Sequence, residues 1–175
     1  MWPLQYKDTF YKIQDLTAKD AARAIPVTDY VSTFEVAEHL PPTHAQHFVR
    51  VLTEHRPRLV FFGAATSFQD QGRNPGHLNE QPIAYWVRHF EKEGYALDAV
   101  RSAAMRVALL LDKGYQTALQ TGKAWWFVKN VVVFADVDWE PEDEDGYEDD
   151  GEAVSYTHLT LRRSTLCRSR WSPYH

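Results

Sequence analysis

The chain has 175 residues, enough for one domain, and its 44% hydrophobic and 14% aromatic content suits a packed globular core. It contains no apolar run long enough to cross a membrane and no secretory signal pattern near its start, which argues against membrane-spanning and secreted classes. The net charge is −5, but residues 136–153 alone hold 11 acidic residues, so the rest is nearly neutral and gives no electrostatic case for a nucleic-acid partner.

The first predicted elements are a short strand and a short helix. Residues 10–16 (FYKIQDL) alternate between apolar and polar side chains, which favours a strand that ends in an acidic residue. Thr17 follows as a possible cap of a helix over residues 18–25, which Pro26 ends. The order strand then helix is the first indication of an α/β protein.

The segment 28–40 (TDYVSTFEVAEHL) is the one around which the prediction is built. Tyr30–Phe34 is rich in β-branched and aromatic residues, so it predicts a strand buried on both faces. After two prolines, Thr43 and Gln46 have the spacing of a capping box for a helix over residues 43–55. The polar residues between this strand and this helix are therefore expected at the carboxyl edge of a sheet, where open α/β proteins bind ligands.

The remaining elements follow in chain order. Residues 59–65 form a continuous apolar run typical of a buried parallel strand, and the polar residues 66–75 predict a loop at its carboxyl end. Helical periodicity predicts helices over 81–93 and about 98–113. Residues 125–134 (WWFVKNVVVF) give the strongest strand signal in the chain.

Two polar clusters follow two strands that we expect to be neighbours. Because the carboxyl ends of adjacent parallel strands meet at one edge, the clusters are predicted to face a shared cleft. Carboxylates and imidazoles there are suited to moving a proton or orienting a nucleophile. The clusters are Glu35, Glu38 and His39 after the first strand, and His77, Asn79 and Glu80 after the second.

These same segments resemble a known family. Residues 29–41 look like the fourth-strand segment of class I S-adenosylmethionine-dependent methyltransferases, and residues 76–90 (GHLNEQP, then Tyr85-Trp86 and Phe90) resemble the segment after the fifth strand in one bacterial subset. Residues 125–134 resemble the last strand. The resemblance covers roughly residues 10–135 and implies an α/β fold, a partial Rossmann-like methyltransferase sheet with the family's strands three to seven.

The resemblance also implies an activity and its residues. The activity is methyl transfer from S-adenosylmethionine to an O, N or C nucleophile of a small molecule, in a cytoplasmic protein, which the lone Cys167 also fits. The implied residues are Asp15, Leu16 and Glu35 for the cofactor, Glu35, His39 and His77 for catalysis, and Asn79, Glu80 and Gln81 for the substrate. Each of two residues has a structural alternative to ligand binding. Asn79 would be a helix N-cap, and Asp15 would be a surface residue at a strand end.

A feature of the family is missing. No glycine-rich turn precedes Asp29, and the first glycine is Gly63. Such a turn lets the backbone approach the cofactor. We therefore expect that the sequence is truncated, that the fragment alone is inactive, and that the strand at Tyr30–Phe34 has an open edge.

The same polar segment offers a metal site as an alternative. Glu35, Glu38 and His39 have the E-x-x-E-H spacing, followed by His44 and His47, and the spacing resembles a divalent-ion motif of methyltransferases that act on small-RNA 3′ ends. The same spacing occurs in metal-free relatives, so the sequence predicts no metal.

The C-terminal residues are set apart from the domain at 1–135. The acidic run 136–153 predicts a disordered tail. Residues 154–161 and 167–175 resemble, in order, two translated pieces of a sequencing-library adapter, so we expect 154–175 to be read-through artefact. The alternative function is a non-catalytic interaction module whose acidic tail binds a basic partner.

Overall fold

A four-stranded mixed sheet forms the centre of the structure, a computed structural model that describes residues 14–69 and 72–139. The strands are β1 (Tyr30–Phe34), β2 (Leu59–Gly63), β3 (Tyr95–Leu97) and β4 (Val132–Asp136). Their order is β1-β2-β4-β3. β1 and β2 are parallel, whereas β4 runs antiparallel to both β2 and β3.

The described residues also form five α-helices and three short 3-10 turns. The helices are α1 (Ala45–Thr53), α2 (Ile83–Lys92), α3 (Ala99–Leu111), α4 (Lys113–Gln120) and α5 (Phe127–Asn130). The 3-10 turns are Ala21–Ala24, Ala37–His39 and Pro42–His44. None of the helices in the described part of the chain is both long and apolar enough to span a bilayer.

The larger core lies between one face of the sheet and helices α1 and α2. Phe62 of β2 contacts Trp86 and Phe90 of α2, with ring centroids 5.1 and 5.4 Å apart. Phe90 also stacks on Phe134 of β4, with centroids 3.8 Å apart. The two pairs made by Phe62 are tilted or edge-to-face, and pairs of this kind contribute about 0.5–1.5 kcal/mol each beyond the burial of their surface. This aromatic packing fixes the sheet that carries the candidate site.

The opposite face of the sheet has a smaller core. Leu59, Val133 and Ala135 point to this side, because side chains alternate along a strand, and Met105 of α3 packs against them. Asp98 starts α3 by accepting a hydrogen bond from the backbone N–H of Arg101. The protein is thus an α/β protein with helices on both faces of its sheet.

Several predicted elements are confirmed. The strand Tyr30–Phe34 has the predicted bounds, and the predicted helices over 81–93 and 98–113 correspond to α2 and α3. The expected open edge is also present within the described sheet, where β1 is an outer strand. Its predicted burial on both faces is wrong, because Tyr30 is 57% exposed at this edge.

The prediction of one strand over residues 125–134 is wrong in its first half. Phe127–Asn130 is a helical turn, and the strand begins only at Val132. The ring of Phe127 packs edge-on against Phe34 of β1, with centroids 5.1 Å apart. This contact between distant residues outweighs the local strand propensity.

Four other predictions need correction. The capping box does not form, because α1 begins at Ala45 and the Gln46 amide donates instead to the carbonyl of His89. Asp136 does not belong to the acidic tail, because it is buried in β4 and pairs with Arg56.

The predicted helix over residues 18–25 is only a short 3-10 turn. Residues 14–16 are not in a strand, while residues 10–13 and the acidic and adapter-like residues from 140 onward lie outside the described residues.

Candidate functional site

The site begins where β1 and β2 end side by side. Phe34 and Gly63 are partners in the register, and the backbone N–H of Glu35 donates to the carbonyl of Gly63 at 2.9 Å. Glu35 has a φ of 54°, in the left-handed region. This conformation costs a non-glycine residue about 1–2 kcal/mol. It turns the chain out of β1 and into the 3-10 turn Ala37–His39, so Glu35 stands at the edge of the sheet.

One oxygen of the Glu35 carboxylate is held firmly. Its Oε2 accepts hydrogen bonds from the Trp126 indole Nε1 at 3.0 Å and from the Gln69 amide at 2.8 Å. Gln69 is positioned in turn by Asn130, whose side-chain amide donates to it at 2.9 Å. The other oxygen, Oε1, is buried and has no hydrogen-bond partner among the described residues. A buried acceptor left open in this way is suited to a ligand that brings a donor.

Glu38 is the most deeply buried acid of the site. It is fully buried, and neither carboxyl oxygen has a hydrogen-bond partner in the described part of the chain. Desolvation therefore raises the pKa of Glu38, and the nearby charge of Glu35 adds to the rise. The backbone N–H groups of Glu38 and Ala65, together with His39, act in the opposite direction, although neither N–H reaches normal hydrogen-bond geometry with the carboxyl group. The resemblance implied no catalytic or binding role for this residue.

The loop after β2 is tied directly to this turn. The backbone carbonyl of Glu38 accepts from the N–H groups of both Leu78 and Asn79, at 2.7 and 2.9 Å. His39 reaches the same loop through its ring Nδ1, which lies 2.9 Å from the carbonyl oxygen of Gly76. The two polar clusters therefore form one site, as the adjacency of β1 and β2 predicted.

His39 and His77 lie next to each other. Their ring centroids are 4.9 Å apart with an edge-to-face tilt of 70°. His77 Nδ1 lies 2.7 Å from Glu80 Oε1, and both side chains are nearly buried, at 7% and 9% exposure. A carbonyl or carboxylate oxygen only accepts, so Nδ1 carries the hydrogen in both rings. In the neutral form, Nε2 is then the unprotonated nitrogen of each ring.

The remaining predicted substrate residues differ in their surroundings. Asn79 is buried, and neither its amide oxygen nor its amide nitrogen has a partner among the described residues. The alternative that Asn79 caps a helix is wrong, because Pro82 precedes the first residue of α2. Glu80 is bound to His77, and Gln81 is half-buried beside it in sequence.

Asp15 and Leu16, which the resemblance implies for the cofactor, differ from Glu35 in their surroundings. Asp15 is exposed, and its Oδ1 accepts from the backbone N–H and the hydroxyl of Thr17 at 2.8 and 2.7 Å. The hydroxyl and then the backbone bond of Thr17 lower the pKa of Asp15. Leu16 packs against the larger core. Neither residue lies at the end of a described strand, so the expected position of Asp15 is wrong.

Three residues of the described chain are grouped so that they could hold a metal ion. They are Glu38, His39 and His77, and one ligand atom from each lies within 4.8 Å of the others. The spacing considered in the sequence included Glu35, His44 and His47 instead of His77. His47 is directed elsewhere, since its Nε2 lies 2.8 Å from the carbonyl of Ala18.

Sequence reasoning missed several residues that build the site. Gln69 and Asn130 orient Glu35, and Gly76 supplies the carbonyl that holds His39. Trp126, which the sequence placed in a strand, donates its indole N–H to Glu35. No local pattern distinguishes these residues, because each acts through a contact with a distant part of the chain.

No match to this chain was found among protein-family models, curated proteins or solved structures. The geometry alone defines the chemistry available. The site offers an open carboxylate oxygen on Glu35 and two imidazoles with defined hydrogen positions. Such groups can bind a donor, orient a nucleophile and accept its proton.

Proposed function

We propose that the chain forms part of an S-adenosylmethionine-dependent methyltransferase that methylates an O, N or C nucleophile of a small molecule. One observation carries the proposal: Glu35, His39 and His77 all follow the carboxyl ends of two adjacent parallel strands, and the rings of His39 and His77 are neighbours. That edge is where open α/β sheets bind ligands. Under this proposal, β1, β2 and β4 correspond to the fourth, fifth and last strands of a Rossmann-like methyltransferase sheet.

The Glu35 carboxylate fits a role in holding the cofactor. Its buried Oε1 needs a donor, and S-adenosylmethionine carries hydroxyl and ammonium donors. When bound, the cofactor would supply an electrophilic methyl group. Trp126 and Gln69 fix the other oxygen, so the open oxygen needs little rearrangement to receive a ligand. A glycine-rich turn is not contributed by residues 14–28, which contain no glycine.

His39 is the residue best suited to accept the proton of the methyl acceptor. It is exposed, so an acceptor molecule can reach it, and the Gly76 carbonyl fixes its ring. As the nucleophile gains the methyl group, its proton passes to the free Nε2 of His39. His77, held by Glu80 against the His39 ring, keeps this imidazole in place and lines the acceptor side.

Cofactor binding tests the proposal through the Trp126 indole. We would record the indole N–H signals of the chain while adding S-adenosylhomocysteine up to millimolar concentration. The Trp126 signal, assigned with the variant Trp126→Phe, is expected to shift because its N–H contacts Glu35. The Trp125 signal is the internal control, since no described hydrogen bond joins its indole to Glu35.

The titration with S-adenosylhomocysteine can support or contradict the proposal. A saturable shift of Trp126 that is lost in Glu35→Gln would support the proposal. An unchanged Trp126 signal in a folded chain, at millimolar ligand, would contradict it. The non-catalytic alternative predicts this second result, because an interaction module has no use for the cofactor.

A further inference from the structure

The buried carboxyl group of Glu38 lacks the partners that such a group normally has. It is fully buried, and both of its oxygens are without a hydrogen bond among the described residues. Buried charged groups in proteins are usually paired or coordinate a metal, because an isolated charge in the interior is very unfavourable. Two histidines, His39 and His77, lie beside it. We propose that Glu38, His39 and His77 bind a divalent first-row transition-metal ion, with Zn²⁺ as the expected occupant.

The spacing of the three side chains is close to that of a formed site. One ligand atom from each lies within 4.8 Å of the others. Ligand atoms bound to Zn²⁺ at about 2.0–2.2 Å can be at most about 4.4 Å apart. A small side-chain movement would therefore close the site around an ion. Two imidazoles and one carboxylate are also an established donor set for divalent transition metals.

Both histidines already have the outer contacts that metal ligands need. The Nδ1 atom of His39 contacts the Gly76 carbonyl, and that of His77 contacts the Glu80 carboxylate. Contacts of this kind fix the tautomer of a metal-bound histidine and raise its basicity. With Nδ1 protonated, Nε2 is the nitrogen of each ring that could bind the ion.

The backbone holds the parts of the site together before any ion binds. Glu38 and His39 lie in one 3-10 turn, and the carbonyl of Glu38 accepts from the N–H groups of Leu78 and Asn79, which follow His77. The turn and the loop therefore cannot separate without breaking these two bonds. This preorganisation reduces the entropy lost on binding.

The donor set also selects among ions. Ca²⁺ and Mg²⁺ prefer sites made wholly of oxygen ligands. Imidazole nitrogens favour Zn²⁺ and its neighbours in the first transition row. The sequence alternative had the E-x-x-E-H residues Glu35, Glu38 and His39 followed by His44 and His47, and no metal was predicted. The present site keeps Glu38 and His39 and adds His77. Zn²⁺ binding does not require the proposed methyl transfer, but it occupies the Nε2 atom of His39, so this atom can accept a proton only in the metal-free chain.

Calorimetric titration with Zn²⁺ tests the site directly. The full chain, freed of metal with a chelator and carrying no histidine tag, should bind one ion tightly. Glu38→Gln and His77→Asn each remove a ligand and should abolish this binding. Glu80→Gln keeps all three ligands but loses the outer contact to His77, so its affinity should fall by about 10–100-fold.

Matched controls make the same chemical changes elsewhere. Glu54→Gln alters an exposed acid, and His44→Asn alters a histidine outside the cluster, so both variants should bind Zn²⁺ like the original chain.

Unchanged binding in Glu38→Gln or His77→Asn would overturn the proposal, as would failure of the original chain to bind Zn²⁺. If a ligand variant does not fold, as judged by circular dichroism, Glu80→Gln decides, and an unchanged affinity there would also overturn it. Loss of cofactor binding with Zn²⁺ binding intact would affect only the proposed methyl transfer.

Discussion

The indole Nε1 of Trp126 donates to Glu35 Oε2 at 3.0 Å and so joins two residues that are 91 positions apart. Glu35 sits in a left-handed backbone conformation at the end of β1, and Trp126 directly precedes the helical turn α5. Hydrogen bonds to a charged group contribute about 1.5–3 kcal/mol, more than neutral ones. This bond therefore helps to stabilise the strained end of β1 and connects the candidate site to the segment before β4.

Replacing Trp126 with phenylalanine removes this donor while keeping an aromatic ring. We expect the free energy of unfolding to fall by about 1–3 kcal/mol, because the half-buried carboxylate loses one of its two donors. Urea unfolding followed by circular dichroism measures the change. Trp125→Phe is the control: Trp125 is 37% exposed, so its loss should be clearly smaller. If both variants lost the same free energy of unfolding, the hydrogen bond to Glu35 would contribute nothing measurable to stability.

Ala124 is expected to be a position where glycine stabilises the fold. Its φ is 55°, and its carbonyl accepts from the Tyr115 hydroxyl at 2.7 Å, a bond that glycine would keep. The left-handed region costs alanine about 1–2 kcal/mol, which exceeds the entropy that glycine loses on folding. Ala124→Gly should therefore raise the free energy of unfolding by up to about 1 kcal/mol.

The matched control for Ala124 lies in a regular helix. Ala104 is exposed within α3, so Ala104→Gly should lower the free energy of unfolding by about 1 kcal/mol. Chemical denaturation of both variants under the same conditions gives the comparison. Destabilisation by both substitutions would contradict the backbone conformation assigned to Ala124.

His89 gives the protein a dependence on pH on its acidic side. Its Nδ1 lies 2.6 Å from the Gln46 amide oxygen between α1 and α2, and desolvation, followed by the charges of Lys92 and Arg88, lowers its pKa from 6.5. The unfolded chain then binds the proton more readily, so the free energy of unfolding falls as the pH drops below about 6.5. Unfolding measured from about pH 8 to pH 5 should show less of this fall in His89→Gln. Equal pH profiles would exclude His89 as the cause.

The sequence predicted the elements better than their contacts. Strand and helix signals located β1, β2, α2 and α3 because composition and periodicity are local properties. The short strand β3 was missed, since three residues carry too little pattern. In the segment 125–134, β-branched and aromatic residues predicted a strand, but contacts of Trp126 and Phe127 with the end of β1 hold the helical turn. Local propensity does not contain this information.

In the candidate site, too, the sequence predicted which elements lie side by side but not the burial of individual side chains. Placing His77 near His39 required only that β1 and β2 be adjacent and parallel, which their apolar runs implied. The burial of Glu38 could not be predicted in this way. It lies in a 3-10 turn outside any regular periodic element, and its surroundings include Ala65 of the next strand end. The acid with the least solvent contact in the site was thus the one that the sequence described least well.

Glu38 should also weaken the metal-free protein as the pH rises. Burial raises the pKa of its carboxyl group above 4.5, so the folded state holds the proton more tightly than the unfolded state does. The resulting contribution to stability is fully present below the unfolded pKa and is lost as the pH rises through the folded value. In chelator, Glu38→Gln removes this loss, so its free energy of unfolding relative to the original chain should increase from about pH 4 towards pH 7. A difference that stays constant over this range would mean that Glu38 titrates with its ordinary pKa, and its carboxyl group would then have a partner in solution.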